Sequence, residues 1–155
     1  MTTTASLRVT DAGVTGYTYV LDEPLRLLVV DDDPIQREFA SVYLATPAAE
    51  IVTVPSAEHA LIRLGNEHFD LVMIDFEMPG MNGIELIHKI RSSESIKDLP
   101  VIMVTSHEDV ETIDAAYLAG ATSFVTKPVN WRLLSYQIKY VLRAHALQRR
   151  QTGHV

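Results

Sequence analysis

The chain has 155 residues, 47% of them hydrophobic, and a net charge of −7. That length fits one domain, and that composition fits a packed core rather than a disordered chain. There is no cysteine, which excludes disulfides and thiolate metal sites. No apolar run approaches the roughly 18 residues of a membrane-spanning helix. The N-terminus, MTTTASLRVTDAG, lacks the basic start and apolar stretch of a signal peptide. A cytoplasmic protein without membrane contact is expected. The charge is uneven, because six cations and no acid follow Asp114. An acidic body speaks against direct nucleic-acid binding. The basic end is either a solvated helix face or a patch for an anionic partner.

In chain order, residues 1–24 are rich in Thr and Gly, and only VTGYTYVL shows strand-like alternation. They are expected to form an N-terminal extension, loosely ordered or packed on the outside. Leu27 to Val30 is a short apolar run, as a strand buried on both faces requires. A helix is predicted from Pro34, with Ile35, Phe39, Val42 and Tyr43 on one face. Glu50 to Val54 is the second strand. Ser56 caps the next helix, Ala60, Leu61 and Leu64 face the core, and Gly65 ends it. Leu71 to Ile74 is the third strand, running into Asp75, and FEMPGMNG is a loop. A helix over Ile84 to Arg91 leads through a polar connection to a fourth strand, Pro100 to Val104. Ser106 caps a helix through Tyr117 that stops before Gly120, and Ser123 to Thr126 is the fifth strand. Asn130 caps a long last helix bearing Leu133, Leu134, Ile138, Val141 and Leu142. Five strands alternating with five helices predict an α/β fold, a doubly wound parallel sheet with helices on both faces. The domain is expected over 25–147, with a tail or linker over 148–155.

Open parallel sheets bind ligands beyond the C-terminal ends of their strands. Those ends carry Asp31-Asp32-Asp33, Asp75, Thr105 and Lys127. Carboxylates within about 4–6 Å of one another raise each other's pKa, and a hard divalent cation relieves that repulsion. An oxygen-only set suits Mg²⁺ with a phosphate. A lysine and a threonine hydroxyl complete an anion site. Such a set predicts phosphoryl transfer onto an aspartate. Asp33 is assigned instead to capping the first helix, because Pro34 fits the first helical position and Gln36 the capping-box position.

VVDDDP, VMIDFEMPGMNG, VIMVTS and FVTKPVN resemble the four signatures of the bacterial response-regulator receiver domain, the CheY-like family. The resemblance covers roughly residues 25–147 and implies a five-stranded sheet of order 2-1-3-4-5. It implies a phosphoacceptor at Asp75. Mg²⁺ or Mn²⁺ would be held by Asp31, Asp32, Asp75 and the backbone carbonyl of Glu77. Thr105 and Lys127 would bind the phosphoryl group, Thr105 and Phe124 would be the switch pair, and the Lys127–Pro128 bond would be cis. Ser106 would leave room for the Phe124 ring to move inward. The family's partners are a histidine kinase or histidine phosphotransfer protein and a downstream output protein or domain. A homodimer through the last two strands and helices is a further expectation. Such a chain is not an enzyme, apart from transfer to and loss from its own aspartate. Asn82 stands where Asp is frequent, Val129 replaces a frequent Phe, and Phe124 stands in place of Tyr. Glu77 and His107 flank the acceptor at variable positions, where changes are expected to alter aspartyl-phosphate lifetime more than metal affinity.

Two other functions compete. A haloacid-dehalogenase-like phosphatase would use Asp31 and Asp33 as its DxD pair, but Ile35 stands where Thr or Val belongs and Asp75 is left unexplained. A phosphorylation-independent binding module would use the basic C-terminal end. The six histidines show no ligand spacing, and His59 and His88 are expected on exposed helix faces.

Overall fold

The computed structural model describes residues 5–10 and 13–152, with side chains from residue 18 to 150. Strands β1 (Ala5–Thr10) and β2 (Gly13–Tyr19) pair antiparallel. The alternation in VTGYTYVL is thus half of a hairpin within the expected N-terminal extension. Its partner strand, ASLRVT, alternates apolar and polar residues as well. Residues 1–4 and 11–12 of that extension lie outside the described residues.

The main sheet contains β3 (Leu25–Val30), β4 (Ala49–Val54), β5 (Leu71–Asp75), β6 (Val101–Thr105) and β7 (Ser123–Thr126), all parallel, in the order β4-β3-β5-β6-β7. Counted from Leu25, this is the expected 2-1-3-4-5. β5 and β6 are buried along their whole length, because helices cover both faces. Alternate side chains therefore feed two cores. Leu28, Val30, Val72, Ile74, Val101 and Met103 pack with α2 (Ala57–Asn66), α3 (Gly83–Arg91) and α4 (Val110–Ala119). Leu27, Val29, Leu71, Met73, Ile102 and Val104 pack with α1 (Pro34–Leu44) and α5 (Trp131–Thr152). Full burial of each such Leu, Ile or Val contributes about 1.5–3 kcal/mol.

Helix boundaries follow their caps. Asp33 Oδ1 accepts the Ile35 N–H at 2.9 Å, with Pro34 at the first helical position, as expected. Ser56 accepts from His59 N–H and Asn130 Oδ1 from Leu133 N–H. Two expectations about helix ends need correction. The helix before β7 is capped by Asp109, whose carboxylate takes the Thr112 N–H and hydroxyl, so residues 106–109 stay a loop and Ser106 caps nothing. Gly65 lies inside α2, which continues to Asn66, because the Glu67 N–H still bonds the Arg63 carbonyl. On α1 the buried residues are Ala40 and Leu44, whereas Ile35, Phe39 and Val42 are 61%, 40% and 51% exposed. The helix settles on its small Ala40 side, leaving its bulkier stripe outward. Leu133 on α5 is likewise exposed, while Leu134, Ile138 and Val141 are buried. Gly120 closes α4 with φ 114°, a left-handed turn that favours glycine. Of residues 148–155, expected as a tail or linker, those up to Thr152 lie in α5, and residues 153–155 lie outside the described residues. Among the described residues no helix is long and apolar enough to cross a membrane.

Candidate functional site

The site forms where β3, β5, β6 and β7 end. Asp31 follows Val30 directly, and Asp75 and Thr105 are the last residues of β5 and β6. All three are buried, at 7%, 6% and 1% exposure, while Asp32 is exposed. Carboxylate oxygens of Asp31, Asp32 and Asp75 lie within 4.8 Å of one another. Lys127, just past β7, sets Nζ 3.1 Å from Asp75 Oδ1 and 3.8 Å from Asp31 Oδ2.

Backbone geometry explains why these groups converge. Parallel register places Asp75 opposite Val104, and the Lys127 N–H bonds the Thr105 carbonyl at 2.8 Å. The Lys127–Pro128 peptide is cis, as the resemblance implied. Gly83 lets α3 approach from the other side. A Cβ there would stand 2.7 Å from the Asp75 carbonyl oxygen, so a side chain would push the loop out of place. Asp31 Oδ1 accepts the Asp33 N–H at 2.9 Å, and Arg37 Nη1 donates to the Asp31 carbonyl at 2.8 Å.

The charges at this edge do not balance. Asp75 is pushed up to about 6, first by burial and then by the Asp31 charge, with Lys127 pulling the other way. Burial also raises Asp31 above the ordinary carboxylate range, against the Asp33 N–H and Lys127. Burial pulls Lys127 down, but Asp31 and Asp75 outweigh it and leave its pKa raised. One ammonium thus faces two buried carboxylates and an exposed third. A set of three carboxylates with no nitrogen or sulfur donor fits a hard divalent cation. With the Lys127 ammonium beside it, the mouth also suits a phosphoryl group.

Asp31, Asp32, Asp75 and Lys127 are therefore brought together as the sequence predicted. Glu77 lies exposed on the loop after β5, and its carboxylate meets His107 Nε2. Thr105 Oγ1 accepts the His107 N–H at 3.0 Å, so its hydroxyl is engaged with the β6–α4 loop. Phe124 is half-buried on β7, its ring 6.5 Å from that of Tyr117. Asn82, which differs from the frequent Asp, caps α3 in a reciprocal capping box with Glu85. Two residues escaped the sequence reading. Trp131, the only tryptophan, lines a small cavity beneath the site with Asp31, Asp75, Gln36 and Val129. Arg37 braces the Asp31 backbone. Spacing along one helix could not signal either contact, because both depend on how helices sit against strand ends.

Known proteins resemble this chain in sequence and fold. The family model described as the response regulator receiver domain matches residues 27–139. The heme response regulator HssR of Staphylococcus aureus is 33% identical over 121 residues, covering 78% of this chain. That match is 53% of HssR, so the chain spans about half the length of the curated relatives it matches. The chemotaxis protein CheY4 of Vibrio cholerae superposes with a TM-score of 0.72 at 28% identity, over 76% of this chain and 98% of its own. A CheY-like receiver domain protein from Methanospirillum hungatei gives 0.69 at 29%, over 80% and 98%. Matched in pattern over residues 27–139 and in fold over about three quarters of its length, the chain belongs to the response regulator receiver domain family.

Proposed function

We propose that this receiver accepts a phosphoryl group on Asp75 from a phosphohistidine of a partner kinase or phosphotransfer protein. An Asp75 carboxylate oxygen attacks phosphorus, the phosphorus–nitrogen bond to the imidazole breaks, and the imidazole leaves with the electron pair. The observation that carries this proposal is the charge imbalance at Asp75. A buried carboxylate beside a second carboxylate and one lysine is served by a cation and by a transferable anion. Asp31, Asp32, Asp75 and the Glu77 backbone carbonyl would hold Mg²⁺ or Mn²⁺, which when bound neutralises charge on the phosphoryl oxygens. Lys127 pairs with the phosphoryl group as a point charge. Thr105 donates its hydroxyl to the same group, and Phe124 follows into the space vacated, shifting the population toward an active state. Glu77 and His107 set water access to the aspartyl-phosphate. A cytoplasmic location is part of this proposal.

The output is a change of affinity for a downstream protein or domain, or pairing with a second copy across α4, β7 and α5. Exposed Val110, Tyr117, Leu118, Leu133, Tyr136 and Tyr140 on these two helices support such a surface. A phosphatase with Asp31 as nucleophile has less support, because Asp33, the second acid of its motif, is engaged as a helix cap.

The test is incubation with phosphoramidate and Mg²⁺, followed by intact mass and peptide mapping. A single label on Asp75 that disappears in Asp75→Asn is expected. A label on Asp31, or one indifferent to Asp75→Asn, contradicts the assignment.

A further inference from the structure

Between the hairpin and β3 the chain behaves like a bound peptide. Residues 20–24 belong to neither sheet, yet Val20 and Leu21 are buried to 5% and 2% exposure. Leu21 joins the core layer that holds Leu44, Ala49 and Ile138. The carbonyls of Val20 and Leu21 are taken by side chains rather than by a neighbouring strand, and Thr18 O, near the end of β2, also meets a side chain of α5. Thr18 O accepts from Arg132 Nη1 at 3.4 Å, Val20 O from Lys139 Nζ at 3.2 Å and Leu21 O from Thr46 Oγ1 at 2.6 Å. The Asp22 carboxylate also meets Lys139 at 3.2 Å. Arg132 and Lys139 are seven residues apart on α5, so they share one face two turns apart, and Thr46 follows the end of α1.

Side-chain donors on main-chain carbonyls, two adjacent apolar residues in a pocket and an acid on a lysine are the elements by which proteins hold extended peptides. The family pattern begins only at residue 27. The segment therefore lies outside the pattern by which the family is recognised.

We propose that residues 20–22 are an intramolecular ligand seated in an exchangeable groove between α5 and the turn after α1. The groove's specificity is for an extended segment with two adjacent apolar residues followed by an acid. In the resting chain the groove is filled in cis, and partner segments of that chemistry compete for it. The basic wall supplied by Arg132 and Lys139 thereby gains a role separate from the phosphoryl site at the sheet edge.

The test uses the full chain. Val20→Asp/Leu21→Asp places two charges where the groove is apolar and releases the segment. A fluorescent peptide of residues 15–23 is then added in trans, and its anisotropy is followed. The released variant is expected to keep its far-UV spectrum and a cooperative melt, and to bind the peptide at least about tenfold more tightly than the wild type, whose groove is occupied. Adding Lys139→Ala to the released variant abolishes that binding. A second full-chain variant, Arg132→Ala/Lys139→Ala, leaves the apolar pair intact. It is expected to stay folded and to be cut by chymotrypsin near Tyr17 and Tyr19 at least about tenfold faster than wild type. Loss of the cooperative melt in both variants, or a folded released variant that ignores the peptide, makes the segment fixed scaffold and overturns the proposal.

Discussion

The two ends of the main sheet carry ionic clusters built on opposite principles. At the N-terminal end two arginines face two glutamates. Arg26 holds Glu50 and Glu67 at 2.9 Å each, stacks over Phe69, and Arg63 closes on Glu67 as well. Glu67 is accordingly pulled down to about 2, by Arg63 first and then Arg26. At the C-terminal end Asp31 and Asp75 are buried with Lys127 as the cation between them, and Asp75 is pushed up to about 6. The same side-chain types thus move two carboxylates in opposite directions. The balanced end ties β3 to β4 and to the α2–β5 connection, whereas the unbalanced end fits a hard divalent cation.

The sharpest way to break this contrast is to remove one acid from the unbalanced end. Asp31→Asn takes away a buried donor of the cation set, and Mg²⁺ affinity is expected to fall by at least about tenfold. Trp131, lining the cavity with Asp31 and Asp75, reports the titration by fluorescence. Unchanged affinity would mean that the acids are not acting as a set.

The next effect is on stability. Asp75 has a folded value of about 6 against an ordinary 3.8. Between those pH values the folded chain keeps a proton that the unfolded chain releases. Stability is therefore full below about 4 and declines as pH rises through 6. In metal-free buffer, Asp75→Asn should raise stability at pH 7 by about 1–2 kcal/mol, a figure reduced for solvent at the open mouth. The gain should vanish near pH 4. Denaturant unfolding at both pH values checks it, and Mg²⁺ should narrow the difference by stabilising the wild type alone.

The smallest effect on function belongs to the balanced end. Arg26→Ala should lower the thermal midpoint and leave the rate of Asp75 phosphorylation within about twofold. Because Glu67 lies below its ordinary value, its contribution is present above about 4.5 and is lost as pH falls through about 2. Acid unfolding of Arg26→Ala should therefore begin at higher pH than in the wild type. A large loss of phosphorylation would show that the two ends are coupled.

The sequence made the unbalanced end legible and the balanced end nearly invisible. Asp31, Asp32, Asp75, Thr105 and Lys127 each stand at a strand end, and parallel topology alone brings strand ends together. Arg26, Glu50 and Glu67 meet only because β3 and β4 run in register and the α2–β5 connection folds back, which no local pattern announces. The same limit explains α1. Its apolar residues mark a stripe, but which side meets the sheet depends on the close approach allowed by Ala40, and Ile35, Phe39 and Val42 are left outward. The cap expected at Ser106 falls instead at Asp109, because Ser106 precedes a loop already tied to Thr105 while Asp109 takes two groups of Thr112. The segment at Val20 and Leu21 was missed because its partners lie more than a hundred residues away on α5.

The most direct measurement is a carbon-detected NMR titration of the side-chain carboxyls, with and without Mg²⁺, following Asp75 and Glu67 in one sample. Without the cation Asp75 should titrate near 6 and Glu67 near 2. Mg²⁺ should drive Asp75 well below its metal-free value and leave Glu67 where it was. An Asp75 that titrates near 3.8, or that does not respond to Mg²⁺, would contradict the account of the C-terminal edge as a charge-unbalanced site completed by a cation.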